Sequence, residues 1–251
     1  MDNLKKSFKS LKWYEWIMIV IMIAIAGYAM IQAFISPDSS SNPPWLTVIN
    51  FISAICGIIC IFFCAKASIS NYIFGIVNTI VYIIYLAYWK IYGTMCLELI
   101  VYLPVNIVSW VLWAKHRDEK EPEKTKSKKL YIYQNVICVV IVCLAAFLYH
   151  FILEKFGGNV VWLDAFTVSI GLIATFLQML RYREQDVWWN ITNVVAIAMY
   201  IQHFDPVYLT KKSIYMVMSI IGLINWWKLN KERNSINEKE SNYVKDYFFD
   251  K

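Results

Sequence analysis

Charge is scarce in this chain. Asp, Glu, Lys and Arg make up 17% of its 251 residues, against about 25% in a soluble domain, and they gather at the two ends and in one central run. A water-facing surface cannot be built from what lies between, which excludes the ordinary soluble classes. Histidine is rarer still: His116, His150 and His203 stand singly at the ends of apolar tracts. None of the six cysteines (Cys56, Cys60, Cys64, Cys96, Cys138, Cys143) forms a CxxC pair, and no His or carboxylate stands near Cys56, Cys60 and Cys64, which are spaced four apart, as a further ligand. They read as small apolar packing residues, which excludes a disulfide framework and a metal centre. A phosphate-cradling Gly-rich loop, GxSxG and HExxH are all missing. No catalytic constellation, cofactor, enzyme activity or nucleotide-driven pumping is therefore expected.

What is present is apolar. Hydrophobic residues make up 59% of the chain, and its mean hydropathy is +0.47. About 20 apolar residues cross a bilayer core as a helix. Eight stretches meet that need: 13–36, 45–65, 71–89, 92–114, 130–153, 162–180, 187–204 and 210–227. The first is about twice the length of a signal-peptide core and lacks a small-residue cleavage site after it, so it is expected to remain as a membrane helix. Pro37 to Pro44, Gly157-Gly158-Asn159 and Asp205-Pro206 supply turns between stretches.

Lys and Arg are retained in cytoplasmic loops. With the N-terminus inside, Lys90, Lys155, Lys211 and Lys212 face outward; the other 20 of the 24 basic residues fall in inner segments, and only Lys211 and Lys212, at the outer end of the last stretch, fall inside the bounds of a span. An error of one helix would invert every later loop and destroy that asymmetry. Eight spans with both termini cytoplasmic are therefore predicted. The net charge of +6 follows from inner loops facing an anionic leaflet and requires no nucleic-acid partner. The polar run 115–129, with Pro122, reads as a charged cytoplasmic loop acting as a solvated hinge, and residues 229–251 as a flexible cytoplasmic tail.

The third and seventh stretches resemble one another. Asn71 to Tyr85 and Asp186 to Tyr200 align without gaps, with Asn78 on Asn193 and Tyr85 on Tyr200, and each is followed by a helix ending in tryptophans. The topology predicts an all-α integral membrane protein with a three-plus-one-plus-three plan of parallel repeats, as in transporters of the SWEET kind, plus an N-terminal accessory helix. The parts are 1–44 (tail and accessory helix), 45–114 (first repeat), 115–129 (loop), 130–161 (linker helix), 162–228 (second repeat) and 229–251 (tail).

Polar side chains in hydrocarbon are costly and tend to face a bundle interior or a pathway. Asn78, Tyr82 and Tyr85 share one helix face. Glu98, Tyr102 and Asn106 recur every four residues, with Trp110 and Trp113 extending the stripe. Trp189 and Asn193 are four apart, with Trp188 beside them, and Gln178, Tyr215 and Asn225 add to the set. Indoles stack on flat rings, while amides and phenols serve both donors and acceptors. The set points to a neutral or weakly cationic substrate with an aromatic ring and a hydroxylated part. Trp13, Trp16, Trp45, Trp162, Trp226 and Trp227 are expected as interface anchors.

Over residues 45–228 the sequence resembles the PnuC family of bacterial nicotinamide riboside transporters. The resemblance rests on Asn71-Tyr-Ile-Phe-Gly75-Ile-Val-Asn78 with Tyr82, Tyr92-Gly93-Thr94-Met95, Tyr102-Leu-Pro104-Val-Asn106 with Trp110, Glu184-Gln185 before Trp189 and Asn193, Tyr208-Leu209-Thr210, Tyr215, Gly222 and Trp226. It implies a SWEET-like fold, a homotrimer in the bacterial inner membrane, and facilitated import of a small-molecule substrate that cytoplasmic phosphorylation then traps. It also implies a pocket on Trp189, Asn193 and Asn78. One departure stands out: Asp186 occupies a place where relatives often carry Trp. Related branches carry thiamine, riboflavin or deoxynucleosides, so the ligand stays open between nicotinamide riboside and another vitamin. A non-transporting scaffold or sensor remains as an alternative of another class.

Overall fold

The computed structural model describes residues 2–35, 43–88, 90, 95–96, 98–119, 121–155, 161–202 and 212–231. Among these the chain is all-helical apart from isolated β-bridges. The turns expected at 37–42, 157–159 and 205–206, and the tail beyond 231, lie outside the described residues. Helices follow the expected stretches: α2 (Trp13–Ile35), α3 (Pro44–Ala65), α4 (Asn71–Tyr88), a π-helical turn (Glu98–Tyr102) leading into α5 (Leu103–Lys115), α6 (Ile132–Lys155), α7 (Val161–Met179), α8 (Gln185–Gln202) and α9 (212–231). Five are long and apolar enough to cross a membrane: Trp13–Gln32, Pro44–Ala65, Asn71–Tyr88, Glu98–Lys115 and Ile132–Phe151; Ala165–Met179 is apolar but shorter.

Two features depart from the sequence reading. The first ten residues, read as tail, begin with a helix, α1 (Asp2–Lys9). It is too short to span a bilayer, and its four-residue spacing of apolar side chains gives it one greasy face. Leu4, Phe8 and Leu11 pack with Ile19, Met22, Phe62 and Phe63, while Lys5, Lys6 and Lys9 stay exposed. Ser7 Oγ lies 2.7 Å from Ser68 Oγ and 3.2 Å from Ser70 Oγ, so this helix is tied to the turn after α3. The second departure is the π-turn. Its wider ring offsets Glu98 from the residues of α5, and within α5 the expected stripe also splits, because what each side chain meets differs. Ser109 and Trp113 are buried, whereas Trp110 turns outward at 41% exposure.

Within the loop, residues 121–129 form a strap that pairs with the turns after α3 and α7. Helix α3 ends with Ala67 in the left-handed region (φ 54°), closed by Ser68 N–H donating to Phe63 O at 2.9 Å. Helix α7 ends the same way, with Arg181 at φ 68° and Tyr182 N–H donating to Leu177 O at 2.9 Å. Glycine is usual at such a cap because side chains are strained there. Here the strap holds both turns by their carbonyls: Thr125 N–H donates to Ala67 O at 3.0 Å, and Lys128 N–H to Arg181 O at 2.8 Å. Ile69 N–H to Glu123 O (2.9 Å) and Arg183 N–H to Lys128 O (3.0 Å) complete the two pairings. Packing in the strap and the adjacent Arg181 guanidinium pull the Lys128 ammonium below its usual pKa. A hinge was expected because the run is polar. Residues 121–129 pair because the backbone groups they satisfy have no helix to satisfy them.

The equivalence of these turns also resets the repeat. Asn71 N–H donates to Ser68 O and Gln185 N–H to Tyr182 O, each at 3.2 Å, so Asn71 matches Gln185 and Tyr72 matches Asp186. That is one residue off the alignment by identity, which laid Asn71 on Asp186 and Asn78 on Asn193.

A buried ion pair fixes α2 against this end of the bundle. Lys66 Nζ lies 2.9 Å from Glu15 Oε2, with the Lys66 side chain 9% exposed and that of Glu15 0%. Lys66 Nζ also donates to Ser10 O at 2.6 Å. Breaking one partner of a buried pair leaves an uncompensated charge. Glu15→Ala should cost about 3–5 kcal/mol, read as a lowered melting temperature of the detergent-solubilised protein. Glu15→Leu combined with Lys66→Met should recover most of that loss.

Candidate functional site

Asn78 stands at the wall of a cavity of about 370 Å³ enclosed by α2, α3, α4 and α9. Its lining includes Ala26, Ala54, Gly57, Ile214 and Tyr215. Asn78 is held in place by Ser53, whose Oγ donates to Asn78 Oδ1 at 2.7 Å. Gly57 lies against it: a Cβ there would touch Asn78 Oδ1 at 3.4 Å, an ordinary contact distance. The volume is in the range of small-molecule pockets, about 300–1,000 Å³, and the lining, apolar with a few polar groups, is of the usual kind.

A second polar group centres on Gln178, near the end of α7. Its Oε1 accepts from Trp189 Nε1 at 3.3 Å, and its backbone O accepts from Trp113 Nε1 at 2.9 Å. Trp189 also packs over Gly171, where a Cβ would sit 4.0 Å from the indole. Between α4 and α5, Asn106 Nδ2 donates to Thr79 Oγ1 at 3.2 Å, and Gly75 leaves room for Cys60 and Asn106. Tyr102 lies beside Glu98 and Tyr149, and all three are close to the π-turn.

Of the residues singled out from the sequence, the structure thus joins Asn78 with Tyr215 at one cavity and Trp189 with Gln178 by a hydrogen bond. Asn193 is buried on α8 and is not among the lining of the Asn78 cavity. Trp188 turns away: it is 7% exposed and packed with Leu130, Val142, Ile170 and Ala174. Tyr82 is 38% exposed and stacked on Tyr85 at 6.2 Å.

Sequence reasoning missed an inner set. Asn71, Tyr72, Gln185 and Asp186 are all buried, and Asn71 Nδ2 and Oδ1, Tyr72 Oη, Gln185 Nε2 and Oε1, and Asp186 Oδ2 have no hydrogen-bond partner. Their signal was present as polar residues opening two similar helices, but first-turn polar residues are ordinarily solvated caps. Trp226, expected at the interface, is fully buried. It meets Trp113 edge to face at 5.3 Å and donates from Nε1 to Cys64 O at 3.2 Å. Trp227 does turn outward, with the Arg183 guanidinium 4.9 Å above its ring. Among the described residues no group of three or more His, Cys, Asp or Glu could hold a metal ion.

The site therefore offers amides, indoles and phenols, with two carboxyl groups, Glu98 and Asp186. Such groups can bind and orient a ligand.

Comparison with known proteins places this geometry in context. Residues 47–228 match a family described as "Nicotinamide mononucleotide transporter". The chain is 32% identical over 233 residues to the nicotinamide riboside transporter PnuC of Neisseria mucosa, covering 88% of this chain and 84% of that one. It is 32% identical over 218 residues to the protein of that name from Haemophilus influenzae, covering 86% and 92%. A solved structure entitled "Crystal structure of the Vitamin B3 transporter PnuC" superposes with a TM-score of 0.69 at 30% identity, covering 92% of this chain and 98% of that one.

The two neighbouring indoles separate binding from packing. Trp189→Ala should weaken an aromatic ligand by about 1–3 kcal/mol while leaving the unliganded melting temperature little changed. Trp188→Ala should instead destabilise the free protein by about 3–5 kcal/mol. Ligand-induced thermal stabilisation of the purified variants reads both effects.

Proposed function

The chain belongs to the nicotinamide mononucleotide transporter family, and from that premise we propose that it is a facilitative carrier importing nicotinamide riboside. The lining of the cavity beside Asn78, which includes no Lys or Arg, carries the choice between the two ligands that the family description and the relatives' names suggest; the Lys212 ammonium lies over the ring of Tyr215, 5.9 Å from its centroid. A phosphate is ordinarily met by Arg or Lys. All 24 basic residues stand in segments between the apolar stretches or at their ends, while the inner polar groups are amides, phenols, indoles and carboxyls. That lining suits a ring, a ribose and a positive charge, and it would leave a phosphate dianion unpaired.

In this reading eight helices span the inner membrane of a bacterium with both termini cytoplasmic, because the basic end, which gathers α1, the strap and the turns after α3 and α7, is the end that the positive-inside rule retains. The halves α3–α5 and α7–α9 form the three-plus-one-plus-three arrangement around linker α6, and α2 is the accessory helix. The carrier assembles as a homotrimer, each protomer holding its own pathway. The substrate enters between the halves, with Trp189 stacking on its ring and Gln178 serving its amide, while Asn78 and Tyr215 offer polar groups at the neighbouring cavity. Rocking of the halves exposes it to the inside. No group couples this step to ATP, so net import follows the gradient, which phosphorylation in the cytoplasm keeps steep.

Reconstituted into liposomes, the protein should equilibrate labelled nicotinamide riboside and show counterflow, without accumulation when a proton or sodium gradient is imposed. Unlabelled nicotinamide riboside should compete at concentrations at which the mononucleotide does not. Accumulation against the gradient would disprove facilitation. Preferential competition by thiamine would move the chain to a sister specificity.

A further inference from the structure

The inner polar set lies where the two halves meet at the basic end. Cys64, in the last turn of α3, has Asn71 and Asp186 beside it, one from each half. Tyr72 lies beside Cys64 and Gln178 and meets the Trp113 ring edge to face at 4.9 Å. Trp113 and Trp226 donate to Gln178 O and Cys64 O, two carbonyls that hold matching places before the two turns. Gln178 in turn holds Trp189. A continuous path of polar and aromatic contacts thus runs from the proposed ring-stacking indole to the buried set next to the basic end.

Within that set Asp186 stands out. It is 4% exposed, Oδ2 has no partner, and none of the ion pairs among the described residues includes it. The nearest basic residues in sequence are engaged elsewhere: Arg183 pairs with Glu184 and lies over Trp227, and Arg181 Nη1 donates to Lys126 O. The carboxyl is pressed against the backbone of α9, since a Cβ on Gly222 would fall 2.9 Å from both of its oxygens. A buried carboxyl without a counter-ion is costly, and a capping role would give its oxygens N–H partners. Three neighbouring polar groups without partners raise that cost further.

We propose that Asp186 is the residue by which this carrier selects a positively charged heteroaromatic substrate, its carboxylate supplying the counter-charge as the ring passes the inner constriction formed by Asn71, Tyr72, Gln185 and the Trp113–Trp226 pair. The inference rests on the transport reading above and adds a specificity determinant to it. A cation at this point supplies the counter-charge that the buried carboxyl otherwise lacks and so favours its ionised form, and the buried amides serve the substrate's polar groups in the same step. A neutral ring of the same shape leaves the carboxylate unpaired.

The test compares a cation with its neutral counterpart in proteoliposomes: nicotinamide riboside against its dihydro form, whose ring is uncharged. Wild-type protein should favour the cation by tenfold or more, an effect on the order expected for a poorly solvated charge pair. Asp186→Asn, of nearly the same shape, should bring the ratio close to one while leaving the melting temperature of the free protein unchanged. Gly222→Ala, which displaces the carboxyl without removing its charge, should reduce the ratio in the same direction. A wild-type protein that carries both forms equally well overturns the proposal without requiring any variant to fold. So does an Asp186→Asn protein that keeps the preference or loses both substrates in equal measure, the result expected of a purely structural residue. A wild-type protein that carries neither form fails the transport reading itself and the inference with it.

Discussion

Two indole N–H groups, each given by the last helix of one half to the end of the first helix of the other, set the relation between the halves. Trp113 donates to the carbonyl of Gln178 and Trp226 to that of Cys64, and the two rings pack edge to face with no exposure to solvent. A helix end leaves carbonyls without intrahelical partners, and in a low-dielectric interior each one unmet costs free energy. Here each half meets a need of the other. Asn225 adds a third such bond, donating from Nδ2 to Ala65 O at 3.1 Å. The position of the polar groups along the interface follows from this crossed arrangement.

The strap extends the same logic outward. Both helix ends turn through a left-handed residue that is not glycine, and both of those residues' carbonyls are satisfied by one segment, through Thr125 and Lys128. A chain that binds both turns couples their positions. Moving one turn away from the other would break these hydrogen bonds. Lys66, bound to Glu15 and Ser10, ties the accessory helix to the same end. The basic end is thus the more heavily cross-braced of the regions described.

Electrostatics then decides what can pass. The interior holds amides, phenols, indoles and an unpaired carboxyl, and Lys and Arg are confined to the segments between the apolar stretches and to their ends. Such a lining favours a cation or a neutral polar ring and opposes an anion. Size contributes less, because the cavity beside Asn78, about 370 Å³, is of ordinary ligand scale.

Much of the fold was legible in the sequence, because a lipid solvent leaves so few choices. Apolar length, the placement of Lys and Arg and the Pro and Gly breaks mark the helices to within a few residues, and of the polar residues singled out by type the structure joins Trp189 with Gln178 and Asn78 with Tyr215 as two separate pairs. Other features are set by distant parts of the chain. Whether Trp188 or Trp189 faces Gln178 depends on the rotation of α8 against α7. The outward turn of Trp110 depends on what packs against α5, which simple periodicity cannot foresee. Asn71 and Asp186 read as helix-start residues, yet they lose solvent because the opposite half covers them. Composition and spacing determined that this chain lives in a bilayer as paired helical bundles, since burial of apolar length is a local property. Which polar groups meet, which indoles are structural and which carboxyl is left without a partner were decided only by tertiary packing, because each depends on what the facing helix presents.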